Sequence, residues 1–174
     1  TDQGGVECIV MNASGCGVTV REYGHALAHD PDYADKARRV SELTRDLSEL
    51  LTDLVPLLKP RLGPLQNHRL AFHPPCSLQH GQQLRGGVES GMKALGFDVK
   101  LATNDAHLCC GSAGTYSVLQ PKLAHELRDR KLGNLEPLQA QVIVSANIGC
   151  IQHLQGGTAT PVRHWVEVLD DALT

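Results

Sequence analysis

The chain has 174 residues, 41% of them hydrophobic and 20% charged, which is the composition of a globular domain with a real core and excludes wholesale disorder. The formal net charge is −3 and the basic residues are scattered, which excludes nucleic-acid binding as the main function. The apolar runs fall far short of the roughly 20 residues of a membrane span, and no signal peptide is visible at the N-terminus.

The first elements are predicted from short patterns. Residues 6–11 are typical of a buried strand, and residues 12–17 of a turn. Apolar side chains then recur at three- and four-residue steps from residue 34 to residue 58, which predicts one long amphipathic helix near the N-terminus. Pro56 and Pro60 mark its frayed end.

Strands and helices alternate in the rest of the chain. The patterns predict strands at 69–73, 98–102, 141–146 and 160–163, and helices at 79–95, 114–135, 148–154 and 165–173. This alternation predicts an α/β fold with a mainly parallel sheet and flanking helices, built from Rossmann-like βα units. The order of the strands stays open.

A weak internal repeat bears on the domain organisation. Residues 10–16 can be aligned with residues 144–150, because each segment is a predicted strand that runs into a Gly-Cys pair. Unless this short match is due to chance, the chain is a C-terminal fragment of a longer polypeptide. Residues 1–29 are then the tail of a preceding repeat, residues 30–65 a helical connector, and residues 66–174 one complete copy.

Six cysteines are the most unusual feature of the composition; they are Cys8, Cys16, Cys76, Cys109, Cys110 and Cys150. A disulfide framework is a poor explanation, because cytosolic thiols stay reduced and neighbouring cysteines rarely bridge each other. The last four follow three different predicted strands. Because the carboxyl ends of parallel strands share one edge of a sheet, we expect these four thiols to converge.

The spacing of these four cysteines indicates the kind of metal. Thiolates select zinc or an iron–sulfur cluster over magnesium or calcium. Structural zinc sites usually contain two Cys-x-x-Cys knuckles, which this sequence lacks. The adjacent Cys109 and Cys110 fit different irons of a cluster better than two corners of one zinc tetrahedron. A cluster is therefore favoured, while zinc and buried structural thiols remain alternatives.

Several neighbouring residues are candidates for supporting roles. Gly111 opens a small-residue turn whose free amides are expected to point toward the cysteines. His107 and Asn147 are candidates for hydrogen bonds that tune the centre, although a surface histidine and a turn residue are the plainer interpretations. Cys16 either completes a site in the preceding repeat or is a free thiol, and Cys8 is expected in the core.

The cysteine pattern resembles a known family. The run Cys76, Cys109-Cys110-Gly111 and Gly149-Cys150 is similar to the cysteine-rich CCG domain of the heterodisulfide reductase superfamily of iron–sulfur oxidoreductases. Longer strings resemble the C-terminal part of the iron–sulfur subunit of glycolate oxidase; they lie at 71–76, 79–83, 105–116, 146–150 and 161–165. The resemblance runs from about residue 6 to the C-terminus. Asn147 departs from it, because it stands where the family often has a fifth cysteine.

This resemblance implies a fragment of an electron-transfer subunit that does not itself bind glycolate. In such complexes a flavin-containing subunit oxidises glycolate to glyoxylate, and the iron–sulfur subunit carries the electrons onward. The implied cofactor is an iron–sulfur cluster, 4Fe–4S in type, with zinc as the alternative, and a fragment prepared in air could lack either. The implied partners are the flavin subunits and a ferredoxin-like N-terminal region of the same full-length chain.

Two other functions stay open beside electron transfer, and a cellular location is also predicted. The alternatives are a zinc-stabilised module that docks subunits together, and a cluster site that catalyses disulfide reduction. The expected location is the cytoplasm, with peripheral attachment of the whole complex to the inner face of the membrane as a variant.

Overall fold

A computed structural model describes residues 5–64 and 69–174 as an α/β fold, which confirms the predicted class. The strands are β1 (Ile9–Met11), β2 (Thr44–Asp46), β3 (Arg69–His73), β4 (Asp98–Leu101), β5 (Val142–Ser145) and β6 (Val162–His164). The helices are α1 (Ser14–Arg21), α2 (Tyr23–Ala26), α3 (Ala34–Leu43), α4 (Leu47–Leu58), α5 (Gly87–Leu95), α6 (Tyr116–Leu119), α7 (Pro121–Leu135), α8 (Ile148–Gln155) and α9 (Trp165–Asp170). The predicted boundary between connector and complete repeat, at residues 65 and 66, lies outside the described residues. Among those residues, no helix combines the length and the apolar character that crossing a membrane requires.

The six strands β1–β6 pair in parallel. The main sheet has the order β4-β3-β5-β6, and β1 pairs with β2 in a separate two-stranded sheet. Successive side chains of a strand point to opposite faces, so the main sheet carries two cores. Leu70 and Phe72 of β3 pack into the larger core, with α5 and α9. Ala71 packs into the smaller core on the other face, which also contains Cys110 and Cys150.

The prediction of one long N-terminal helix is wrong. Helices α3 and α4 cover that segment, and the three residues of β2 separate them. The hydroxyl of Thr44 donates to the carbonyl oxygen of Val40 at the end of α3. Asp46 then begins α4 as its N-cap, since its carboxylate accepts from the amide of Ser48 and the Glu49 carboxylate accepts from the amide of Asp46. The apolar spacing continues across this break, which is why periodicity alone joined the two helices.

Other predicted boundaries also change. The predicted helix at 79–95 is a π-helical turn (Ser77–Gly81) followed by α5, because Gly86 adopts the left-handed conformation with φ +84°. The predicted helix at 114–135 is split into α6 and α7, since the residue before Pro121 is disfavoured in the helical conformation. The first strand covers only 9–11, and Cys8 lies before it, partly exposed rather than in the core.

The two segments of the weak repeat have the same local architecture. Each forms a strand that runs into a helix, β1 into α1 and β5 into α8, and each strand pairs in parallel with a later strand. Val10 lies opposite Arg45 in one pair, and the aligned Val144 lies opposite Arg163 in the other. The correspondence continues into α4 and α9. Assignment of residues 1–29 to a preceding copy and of 30–65 to a connector stays a prediction.

The N-cap of α9, His164, should make the stability of the fold depend on pH. Nδ1 of His164 accepts a hydrogen bond of 3.1 Å from the amide of Val166, and burial lowers the pKa of His164 below its ordinary value of 6.5. The unfolded chain therefore takes up a proton first as the pH falls, and stability is lost below about pH 6.5. Protonation of the ring also removes the nitrogen that accepts the capping hydrogen bond. Such a bond contributes about 1 kcal/mol to stability.

The variant His164→Asp should remove this dependence, because Asp46 already caps α4 with the same pair of hydrogen bonds. We expect the free energy of unfolding, measured by urea titration between about pH 5 and 7, to fall less steeply with acid in the variant than in the wild type. Equal slopes in the two proteins would show that the ring of His164 does not contribute.

Candidate metal centre

Three loops at the carboxyl edge of the main sheet carry the four predicted cysteines. Cys76 follows β3 and begins the π-helical turn. Cys109 and Cys110 end the loop after β4, and Cys150 lies in the first turn of α8, which follows β5. Because β4, β3 and β5 are adjacent and parallel, their carboxyl ends are side by side, and the three loops begin there.

The four sulfur atoms are linked by a series of neighbouring contacts, called here the sulfur row. The thiol of Cys76 lies 3.9 Å from the sulfur of Cys109, measured between the two Sγ atoms. Cys110 hydrogen-bonds both Cys109 and Cys150 through its side chain. The row runs inward, since Cys76 and Cys109 are partly exposed whereas Cys110 and Cys150 are only 1% and 4% exposed. The structure therefore brings together all four residues that the sequence singled out.

Backbone amides surround the sulfur atoms. The amide of Gly111 donates to Sγ of Cys109 at 3.3 Å. The amides of Ser77 and Ser112 hydrogen-bond Cys76 and Cys110, respectively. Such donors stabilise sulfur in its anionic form, which is the form that binds metal. The predicted small-residue turn thus supplies amides to the cysteines, although the helix after it begins only at residue 116.

Hydrogen bonds between the four thiols shift their pKa values in opposite directions. The bond from Cys110, together with that from Cys76, lowers the pKa of Cys109 to about 2. The bond from Cys110 also lowers the pKa of Cys150 to about 5, against the opposing effect of burial. Donating to Cys109 raises the pKa of both Cys76 and Cys110 above that of an ordinary thiol. The four thiols therefore differ in how readily each loses its proton, and binding a metal to all four sulfurs would release the protons that remain.

Two further buried side chains, His73 and Lys131, lie beside the cysteines. His73, at the end of β3, is 1% exposed. A nitrogen of its ring lies within 4.8 Å of the sulfurs of Cys110 and Cys150. Lys131 of α7 is 2% exposed, and its ammonium donates to the carbonyl oxygens of Asp105 and Ala106 in the loop before Cys109. The only sequence signal for Lys131 was its place among the apolar positions of α7.

Lys131 also supplies positive charge to the site. Burial lowers the pKa of this lysine, and the charges of Cys110 and Asp105 act in the opposite direction. On the same helix, Arg130 forms an ion pair of 2.7 Å with the carboxylate of Asp105. Helix α7 therefore anchors the loop that carries the adjacent cysteines.

The predicted supporting residues have different surroundings. Asn147 is the N-cap of α8: its side-chain oxygen accepts from the amide of Gly149, and its side-chain nitrogen donates to the hydroxyl of Ser77. It thereby ties the helix of Cys150 to the turn of Cys76. His107 accepts a hydrogen bond from His80 through its backbone carbonyl, and in the described part of the chain no bond joins its ring to a sulfur.

Cys16 does not lie in the sulfur row. It is exposed on α1. Among the described residues, the side chains close enough together to hold one metal ion are His73, Cys110 and Cys150. Helix α1 nevertheless packs against the turn that follows Cys76, where the hydroxyls of Ser14 and Ser77 lie 2.7 Å apart. A role for Cys16 in a site of a preceding repeat stays a prediction.

The fold and these cysteines define the class of protein. Residues 70–155 match the cysteine-rich domain family, CCG, and this part of the chain belongs to that family. It is 51% identical to the glycolate oxidase iron-sulfur subunit of Escherichia coli (strain K12) over 171 residues, which cover 98% of this chain and 41% of that subunit. The chain thus spans less than half the length of this relative.

Two further relatives are more distant. Lactate utilization protein A of Geobacillus kaustophilus is 28% identical over 171 residues, covering 93% of this chain and 69% of that protein. In Bacillus subtilis, the probable glycolate oxidase iron-sulfur subunit is 28% identical over 161 residues, covering 87% of this chain and 34% of the relative. The similarity to each relative therefore extends well beyond the segment 70–155.

Proposed function

We propose that this chain is an electron-transfer module that holds an iron–sulfur cluster on Cys76, Cys109, Cys110 and Cys150. The observation that carries the proposal is the sulfur row, brought together by three loops of one sheet edge. The 51% identity to a subunit named for its iron–sulfur content supports iron as the metal. Such a cluster, 4Fe–4S in type, would supply one-electron transfer.

The chemistry of the donors fits such a group. All four are sulfur atoms, which bind iron–sulfur clusters and zinc in preference to hard cations. The adjacent Cys109 and Cys110 differ in exposure, one partly exposed and the other buried, so they approach the centre from different depths. Backbone amides hydrogen-bond three of the sulfurs and offset their negative charge. Such hydrogen bonds are among the means by which proteins set the reduction potential of a cluster.

The proposed role places the chain in a complex like that of its relatives. A flavin-containing subunit that oxidises glycolate would supply the electrons, and a ferredoxin-like region of the full-length chain would share their transfer. Six unpaired cysteines support a reducing compartment, and we propose the cytoplasm. The partly exposed Cys76 and Cys109 form the side of the site nearest to solvent, from which a redox partner would approach.

Metal analysis tests this proposal directly. We expect the chain, reconstituted anaerobically with iron and sulfide, to bind about four irons and about four sulfides and to show visible thiolate-to-iron absorption. Iron, sulfide and zinc are measured on the same desalted sample, and dithionite should bleach the absorption reversibly. One zinc per chain and no iron, after the same anaerobic preparation, would contradict electron transfer and favour the zinc-stabilised docking module.

A further inference from the structure

His73 is a deeply buried polar side chain beside the cysteines. It ends β3 on the same face as Ala71, because side chains two residues apart in a strand share a face, and this is the face with Cys110 and Cys150. Its backbone is fixed, since the hydroxyl of Ser145 donates to its carbonyl oxygen at 2.9 Å. The position of the ring is therefore set by the central strands of the sheet rather than by a loop.

The ring of His73 hydrogen-bonds the side chain of Cys150, but one of its nitrogens lacks a hydrogen-bond partner within the described ranges. Its Nε2 atom is buried and has no hydrogen-bond partner among the described residues. Leaving a buried polar atom unpaired is energetically unfavourable, so such an atom calls for an explanation. A nitrogen of this ring and the sulfurs of Cys110 and Cys150 all lie within 4.8 Å of one another. Nitrogen and two sulfurs at this separation are spaced as ligands around a common metal.

Two other polar side chains near the site already use their nitrogen atoms in hydrogen bonds. Asn147 uses both ends of its amide, on Gly149 and Ser77. Lys131 carries a charged ammonium that already donates to two carbonyl oxygens. Imidazole is a common ligand of iron and zinc, and its neutral form adds a bond without adding negative charge to a site with four sulfurs.

We propose that His73 is a further protein ligand of the metal centre, binding through a ring nitrogen at the buried end of the sulfur row, next to Cys110 and Cys150. This assignment rests on the proposed function, because it requires a metal on those cysteines. Histidine ligation raises the reduction potential of iron–sulfur centres relative to thiolate ligation. The buried end of the row would thus tune the potential, while the exposed end faces the partner.

Nitrogen labelling of the reduced, reconstituted chain tests the assignment by spectroscopy. Histidine labelled with nitrogen-15 is incorporated, and pulsed electron paramagnetic resonance then measures nitrogen coupling to the cluster. We expect a strong coupling that changes isotope with the label, is lost in His73→Gln and persists in the control His107→Gln. A histidine coupling that is absent, or as weak as that of an N–H···S hydrogen bond, would overturn the assignment.

A second variant keeps the test independent of folding defects. His73→Cys offers a thiolate in place of the imidazole, so it should retain iron, lose the histidine coupling and shift the midpoint potential to a more negative value. An unchanged potential in an iron-loaded His73→Cys protein would count against ligation. The iron content separates the two hypotheses: an iron-loaded wild type without histidine coupling overturns only the role of His73, whereas a wild type that binds no iron overturns both.

Discussion

Replacing Cys110 by serine is expected to abolish cluster binding. Cys110 hydrogen-bonds both Cys109 and Cys150 and is only 1% exposed, so water does not readily take the place of its sulfur. Changes beyond the ligands of a metal site typically reduce affinity by about 10–100-fold, and loss of a central ligand should exceed that range. The measurement is iron and sulfide per chain after anaerobic reconstitution, compared with the wild type.

Cys8→Ser is the matched control for this experiment. It makes the same chemical change at a cysteine that is partly exposed and precedes β1, away from the edge of the main sheet. We expect Cys8→Ser to bind as much iron as the wild type. The metal-free forms of both variants are also compared by circular dichroism, since a hydroxyl in place of a buried thiol can cost stability. A well-folded Cys110→Ser protein with full iron content would contradict the assignment of this cysteine.

The location of the candidate site was predictable from the sequence for a physical reason. Parallel strands end at one edge of a sheet, so cysteines after β3, β4 and β5 had to lie near one another once the α/β class was right. The strand order was not predictable, because it depends on contacts between distant segments. It was the order β4-β3-β5 that placed the three cysteine loops side by side.

The features that the sequence did not predict depend on information that the spacing of residue types along the chain does not contain. The break between α3 and α4 has a local signal, the capping pair Asp46 and Glu49, but the uninterrupted apolar period was given more weight. His73 could be placed in a strand, whereas its unpaired nitrogen and its distance to the sulfurs emerge only from tertiary packing. Lys131 is similar: a lysine on an apolar helix face indicates burial without identifying the carbonyl oxygens that it contacts.

The second large effect is expected from Gly111→Ala, which changes no ligand. Gly111 has φ +95°, and a Cβ atom added there would lie 2.2 Å from the carbonyl oxygen of Ala124 in α7 and 3.0 Å from Nε2 of His153. Both the strained backbone and the overlap with a helix carbonyl oppose the substitution, each by about 1–3 kcal/mol. We therefore expect the free energy of unfolding of the metal-free chain to fall by about 3 kcal/mol or more, measured by urea titration under reducing conditions.

Gly114→Ala separates the two causes, because Gly114 is in the same turn and also has a positive φ, +59°, but an added Cβ there would meet nothing within 4 Å. Only the conformational cost of about 1 kcal/mol should remain in this control. Iron binding provides a second readout: the amide of Gly111 donates to Cys109, so a displaced turn should weaken the cluster in Gly111→Ala and leave it intact in Gly114→Ala. Equal destabilisation of the two variants would show that close packing of the cysteine turn against α7 does not hold this site together.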